Sequence, residues 1–150
     1  MIPLNFPIYS FKIREEHSQT FIFDDCRKKY VKLTPEEWVR QHFLQWLMTE
    51  KQYPKSLIQV EKSVRLNTLL KRTDILLYNS MGDKILLVEC KSPYVPINQA
   101  SLDQIAMYNM AHQVGLLAVT NGLTHFFIQI DLQQKAYQFL ADLPNYEALK

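Results

Sequence analysis

The sequence predicts one α/β domain, a mixed β-sheet flanked by helices. Two observations carry that prediction. A helical pattern, three strand-like runs, a second helical pattern and two further strand-like runs follow one another along the chain. The chain also has 150 residues, with 47% hydrophobic and 21% charged side chains. That is enough to bury a core at ordinary globular composition, and it excludes a disordered tail protein. No repeat, low-complexity tract or linker divides the chain.

The elements follow from local signals. Residues 7–13 and 19–23 are rich in β-formers and read as a hairpin, with Glu15-Glu16-His17-Ser18 between them. Residues 29–33 add a short third strand. Thr34-Pro35-Glu36-Glu37 is a helix start: Thr as N-cap, Pro at the first helical position, acids in the first turn and Glu37 at the capping-box position. The helix runs to about Thr49, with Val39, Phe43, Trp46 and Leu47 as its apolar face. Strands are expected near 56–66, 73–78 and 84–91. A second helix is expected over 97–112, with Leu102, Ile105, Ala106 and Met110 inward. Residues 115–120 read as a buried strand, Asn121-Gly122 as a turn and 124–130 as the returning strand. Residues 131–150 show no clear pattern. The expected division is an N-terminal hairpin extension over 1–33 and a core over 34–150.

Composition excludes several functions. Two cysteines, Cys26 and Cys90, make neither a disulfide scaffold nor a four-cysteine zinc site. His17, His42, His112 and His125 contain no i, i+4 pair. Three glycines are too few and too scattered for a P-loop or a dinucleotide fingerprint, which argues against an ATP motor or a Rossmann enzyme. The N-terminus does not read as a secretory signal, and no apolar run approaches the ~18 residues of a membrane span. The expectation is a cytoplasmic protein with no membrane partner. Net charge is +2, but residues 51–91 hold eight Lys/Arg against four Asp/Glu. Such an excess suits a polyanion, although a solvated strand face explains it as well.

The hairpin around Asn79–Lys84 carries the chemistry. If Asn79 pairs with Lys84, Tyr78 faces Ile85, Leu76 faces Leu87 and Asp74 faces Glu89. Two carboxylates directly opposite lie about 5 Å apart at Cβ and repel. A divalent cation, hard and oxygen-seeking, is the compensation that suits an otherwise apolar hairpin. Side chains alternate along a strand, so Lys91 shares a face with Glu89 and Asp74. A lysine there can place or deprotonate a water, or stabilise charge developing on a phosphorus. Alone, Glu-x-Lys is equally a surface ion pair at a strand end.

Arg72-Thr73-Asp74 followed by Val88-Glu89-Cys90-Lys91-Ser92-Pro93 resembles the PD-(D/E)XK nuclease motif, with Thr73 where a proline often stands. Thr34–Gln41 is similar to the family's first helix. Gln104-Ile105-Ala106-Met107-Tyr108 resembles the Gln-x-x-x-Tyr element of one branch, and Thr120-Asn121-Gly122 its next strand end. Taken together, residues 30–131 resemble the N-terminal nuclease domain of type I restriction enzyme R (HsdR) subunits. The resemblance implies a restriction-endonuclease-like fold and a metal-dependent DNA endonuclease. In it Asp74, Glu89 and the Cys90 carbonyl hold Mg2+, with Mn2+ as substitute, and Lys91 orients or activates the attacking water. Gln104 and Tyr108, at i and i+4 on one helical face, point at the site. Glu36 or Glu37 adds an outer acid. Glu36 shares the Val39/Phe43 face while Glu37 has the capping alternative, so the residues leave that choice open. The Cys90 thiol is expected to face the core.

The expected partner is DNA, with other restriction-modification subunits or a second copy as further partners. Lys62, Arg65, Lys71 and Arg72 are the candidate phosphate contacts. No base-reading helix is legible, and the motor of such restriction subunits is not in this sequence. The alternative is a catalytically silent nucleic-acid-binding or protein-docking module of the same fold. Convergence of Asp74, Glu89, Lys91 and Gln104 discriminates the two from simple coincidence.

Overall fold

The structure is a computed structural model that describes residues 1–66 and 69–150, with backbone alone over 62–66 and 69–71. Strands β1 (Ile13–Glu16), β2 (Gln19–Asp24) and β3 (Lys29–Lys32) form an antiparallel three-stranded sheet. Helix α1 (Pro35–Thr49) follows, then a 3-10 turn at Lys55–Leu57. Strands β4 (Ile58–Leu66), β5 (Leu69–Tyr78), β6 (Lys84–Cys90), β7 (Leu116–Thr120), β8 (His125–Asp131) and β9 (Ala136–Leu140) form a six-stranded sheet in sequence order. Helix α2 (Gln99–His112) is the crossover between β6 and β7, which pair in parallel; the sheet is therefore mixed. A short helix, α3 (Tyr146–Leu149), ends the chain.

Strand alternation feeds two cores. Ile75, Leu77, Leu86 and Val88 point to one face of the sheet and pack with Val39, Phe43, Leu44 and Leu47 of α1. Leu76, Leu87, Leu117 and Val119 point to the other and pack with Ile105 and Tyr108 of α2. Trp46 is only partly buried, at the edge of the first core.

Several expectations need correction. The first hairpin is shorter and later than 7–13/19–23. His17 and Ser18, with φ of 51° and 64°, make the two-residue turn, so β1 starts at Ile13. Two consecutive positive-φ residues match the right-handed twist of the flanking strands. Helix α1 starts as read, with Thr34 Oγ1 accepting from the Glu37 amide at 3.0 Å. The Glu37 carboxylate does not close the capping box, because it is taken by arginines. In α2 the buried stripe is Ser101, Ile105, Tyr108, Asn109 and His112, while Ala106 is exposed and Met110 is 75% exposed. The inward stripe carries polar work. Asn109 exchanges two bonds with the Val114 backbone, and His112 Nε2 lies 3.2 Å from Thr73 Oγ1. Residues 131–150, which showed no pattern, supply β9 and α3.

In the central hairpin Ile75 opposes Val88, Leu76 opposes Leu87 and Leu77 opposes Leu86, as expected. A bulge between Leu77 and Tyr78 then sets Tyr78 against Lys84, not Ile85. Asn79 Oδ1 accepts the amides of Met81 and Asp83 and shapes the turn, which absorbs the irregularity at that end. The β5–β6 pairing runs to Ile75 and Val88, and Asp74 and Glu89 are the next residues along the two strands.

Candidate active site

Asp74 sits mid-β5 and Glu89 one residue before the end of β6. Both are buried, at 7% and 6% exposure. Asp74 Oδ2 accepts the Cys90 amide at 2.9 Å, so the strand pairing itself orients the carboxylate. Asp74 Oδ1 accepts Arg40 Nη2 at 2.5 Å. Glu89 Oε1 is 3.1 Å from Lys91 Nζ, while Glu89 Oε2 is buried with no hydrogen-bond partner. Burial first, and then the Asp74 charge, pushes the Glu89 carboxyl up to about 8, against the pull of Lys91.

Lys91 leaves the strand with its amide bonded to Thr120 O at 2.8 Å. Its Nζ donates to Gln104 Oε1 at 2.7 Å, and Gln104 Nε2 donates to Tyr108 Oη at 3.0 Å. Burial opposes the Lys91 charge, but Glu89 beside it wins and its pKa is raised. The Tyr108 phenol is also raised, by burial and by Glu89. Asp74, Glu89, Lys91, Gln104 and Tyr108 therefore meet in one place. The Cys90 thiol is fully buried in the α1-side core, and burial pushes it well up, so it is not a nucleophile.

The two acids of α1 separate. Glu36 is half exposed, and its carboxyl is raised by partial burial and by Asp74, with Arg40 and then Lys91 pulling the other way. It lies within electrostatic reach of Asp74 and 3.6 Å from Arg40 Nη2. Glu37 is buried, with Oε1 accepting from Arg40 at 2.6 Å and Oε2 from Arg27 and Gln41 at 2.9 and 3.0 Å. Lys62, Arg65 and Lys71 have side chains outside the described residues. Arg72 is exposed and donates to Glu61 Oε2 at 2.8 Å.

Arg40 and Glu61 are the neighbours that sequence reasoning missed. Arg40 is 6% exposed and touches Asp74, Glu37 and Glu61. Glu61 also accepts Arg27 Nη1 at 2.9 Å. Its φ is 58°, a left-handed value uncommon for a residue with a β-carbon, at the gap in the β4–β5 register opposite Asp74. Such strain clusters at functional sites. The spacing of Arg40, i+4 from Glu36 and i+3 from Glu37, marks local ion pairs in the sequence but not the reach to Asp74.

Among the described residues no three His, Cys, Asp or Glu side chains form a metal cluster. The donors brought together are the carboxylates of Asp74 and Glu89, and the resemblance would add the Cys90 carbonyl. They fit a hard cation that is held by one or two carboxylates and keeps its waters. Glu89 Oε2, which no donor of the protein occupies, is the oxygen such an ion would take as the carboxyl releases its proton.

Fold and site together define a restriction-endonuclease-like α/β domain. The chain matches the family model of the type I restriction enzyme R protein N terminus (HSDR_N) over residues 35–144, and it belongs to that family. It is also similar in structure to a fragment described as an HsdR subunit of a type I restriction enzyme from Vibrio vulnificus YJ016, with a TM-score of 0.54 and 20% identity. That match covers 78% of this chain and 24% of the other, so the chain spans about a quarter of that relative. No curated protein matches. Among the described residues no helix is long and apolar enough to cross a membrane.

Proposed function

We propose that this chain is a Mg2+-dependent PD-(D/E)XK-type DNA endonuclease domain of a restriction-modification system. The observation that carries the reading is the single cluster of Asp74, Glu89, Lys91, Gln104 and Tyr108, with Glu89 Oε2 left open. Asp74, Glu89 and the Cys90 carbonyl hold Mg2+ or Mn2+. The bound cation supplies positive charge on the scissile phosphate and lowers the pKa of a water. Lys91 Nζ would hold that water's oxygen near the phosphate, and Gln104 fixes Lys91 by accepting a hydrogen bond from it. Tyr108 fixes Gln104 in turn. Glu36 supplies the outer acid. Lys62, Arg65, Lys71 and Arg72 contact DNA phosphates, and other restriction-modification subunits or a second copy complete the assembly in the cytoplasm.

The contact of Arg40 with Asp74 favours a second reading, a silent nucleic-acid-binding or protein-docking module in which a cation of the protein already occupies the Asp74 carboxylate. Cleavage of supercoiled and single-stranded DNA in Mg2+ or Mn2+ separates the two. The nuclease reading expects metal-dependent cutting that falls at least a hundredfold in Lys91→Ala and in Asp74→Ala. Cutting that survives both substitutions overturns the site. No cutting and no Asp74-dependent Mn2+ binding leaves the module.

A further inference from the structure

We infer that the solvent face of the N-terminal sheet is a platform for single-stranded DNA that leads into the site. The register places Arg14 against Phe21, Phe21 against Lys32 and Phe23 against Tyr30, and the Phe23 amide bonds to Lys12 O. Directly paired residues share a face. Lys12, Arg14, Phe21, Phe23, Tyr30 and Lys32 therefore stand together. The opposite face carries Ile22 and Asp24, both with no exposure, and seats the sheet on the protein. The outer face is solvated: Lys12, Arg14 and Lys32 are exposed and the three rings are half-buried.

Cations and rings are interleaved. Lys12 Nζ lies 5.3 Å from the Phe23 centroid and the Arg14 guanidinium 4.3 Å from that of Tyr30. Three aromatics on an exposed sheet offer bases a stacking surface, and bases stack on them without sequence preference. The three cations are placed for the phosphates between those bases. Three strands span about 10 Å, room for two or three bases. A duplex hides its base faces, so the complementary ligand is a single strand. Glu16, 3.3 Å from Arg14, is the one acid paired to this face among the described residues, and a phosphate competes with it for Arg14.

Continuity with the site favours DNA over an acidic protein. Tyr30 and Lys32 also line a cleft of about 630 Å³ whose other walls include Arg40, Ser92 and the acids Glu36, Glu37 and Glu61, the last two paired to Arg27 and Arg40. Ser92 follows Lys91, and Arg40 touches Asp74. A strand lying on the platform runs toward the carboxylate pair. This inference rests on the nuclease reading for the direction of the strand; the binding itself does not depend on it.

The test is fluorescence anisotropy of a labelled oligo-dT with the full chain in EDTA, at several salt concentrations. Wild type is expected to bind, and a duplex of the same length at least fivefold more weakly. Replacing Lys12, Arg14 and Lys32 together by Gln is expected to weaken binding at least tenfold and to lower the salt slope by about 2, at ~0.7 per single-strand phosphate. Phe23→Leu with Tyr30→Leu is expected to weaken binding severalfold at an unchanged salt slope. Circular dichroism checks folding, and the charge variant alone suffices if the aromatic variant unfolds. The inference is overturned if wild type binds no oligonucleotide or if the charge variant binds as wild type. It is also overturned if poly-glutamate displaces the strand with no sensitivity to the aromatic pair, which marks an acidic protein partner. Absence of both cleavage and Asp74-dependent Mn2+ binding, with the oligonucleotide-binding pattern intact, removes the nuclease reading and leaves the platform.

Discussion

Asp74 and Glu89 share one buried place, and the folded chain holds the Glu89 proton more tightly than the unfolded chain, whose glutamates titrate near 4.5. The contribution of the protonated carboxyl to folding is thus fully present below pH 4.5 and is lost as pH rises through about 8. Without added metal, Glu89→Gln is therefore expected to melt several degrees above wild type at pH 9 and to lose that advantage at pH 5. Thermal unfolding in a chelator reads this directly, and a Gln variant less stable than wild type at pH 9 removes the account. The pair was legible in the sequence because strand alternation and a short hairpin fix which residues face each other. Lys91 was legible for the same reason, and Gln104 and Tyr108 by helical spacing. Arg40 was not, because a long side chain that reaches a strand 34 positions away leaves no periodic mark. The Glu36/Glu37 choice was open because both acids sit in a first turn, and only the tertiary arginines separate them.

Helix α1 is coupled to the sheet through Arg40 as much as through its apolar face. Burial opposes the guanidinium charge, yet Asp74 and Glu37 outweigh burial and hold it ionised. Removing it takes from Asp74 the cation it contacts and from Glu37 one of two. Arg40→Met is expected to cost about 3–5 kcal/mol in urea denaturation, the usual penalty for breaking a buried ion pair from one side. Mn2+ is expected to restore part of the loss by replacing the missing charge at Asp74, a gain absent in Arg40→Met combined with Asp74→Asn. An Arg40→Met protein as stable as wild type denies the coupling. Helix α2 shows the limit of reading elements from hydrophobicity alone. Its inward stripe was misphased because Asn109 and His112 are buried for their hydrogen bonds while Met110 stays in solvent. A pattern that scores apolar residues rotates such a helix by most of a residue step. The position of Ile105, shared by both stripes, survived that rotation.

The family-matched region begins at residue 35, and the part before it does two jobs in this molecule. Residues 13–32 form the outer sheet. Residues 1–6 run across α1 and the β7–β8 turn instead. Ile2 O accepts Trp38 Nε1 at 3.1 Å, the Asn5 amide donates to Gly122 O at 2.7 Å, and Asn5 O meets His125 Nε2 at 2.9 Å. Phe6 packs against His125, Trp46 and Phe43, with centroids 4.5, 5.9 and 6.0 Å away. Gly122 is needed under this strap: its φ is 85°, and a β-carbon there meets Leu4 Cδ2 at 2.8 Å. None of this was legible as structure, because its contacts are made by loop backbone with partners far along the chain. The strap touches no member of the carboxylate–lysine cluster, so stability and chemistry separate. Leu4 and Phe6 are each partly buried, which at roughly 1 kcal/mol apiece plus the backbone bonds makes deletion of residues 1–6 cost about 2–3 kcal/mol. For a chain of this size that lowers Tm by roughly 5–10 °C. Lys91-dependent cleavage at 25 °C and oligo-dT affinity are expected to stay within twofold of wild type. An unchanged Tm shows that the strap is not holding α1 to the sheet. Loss of cleavage in a truncated protein that remains folded ties the strap to the site.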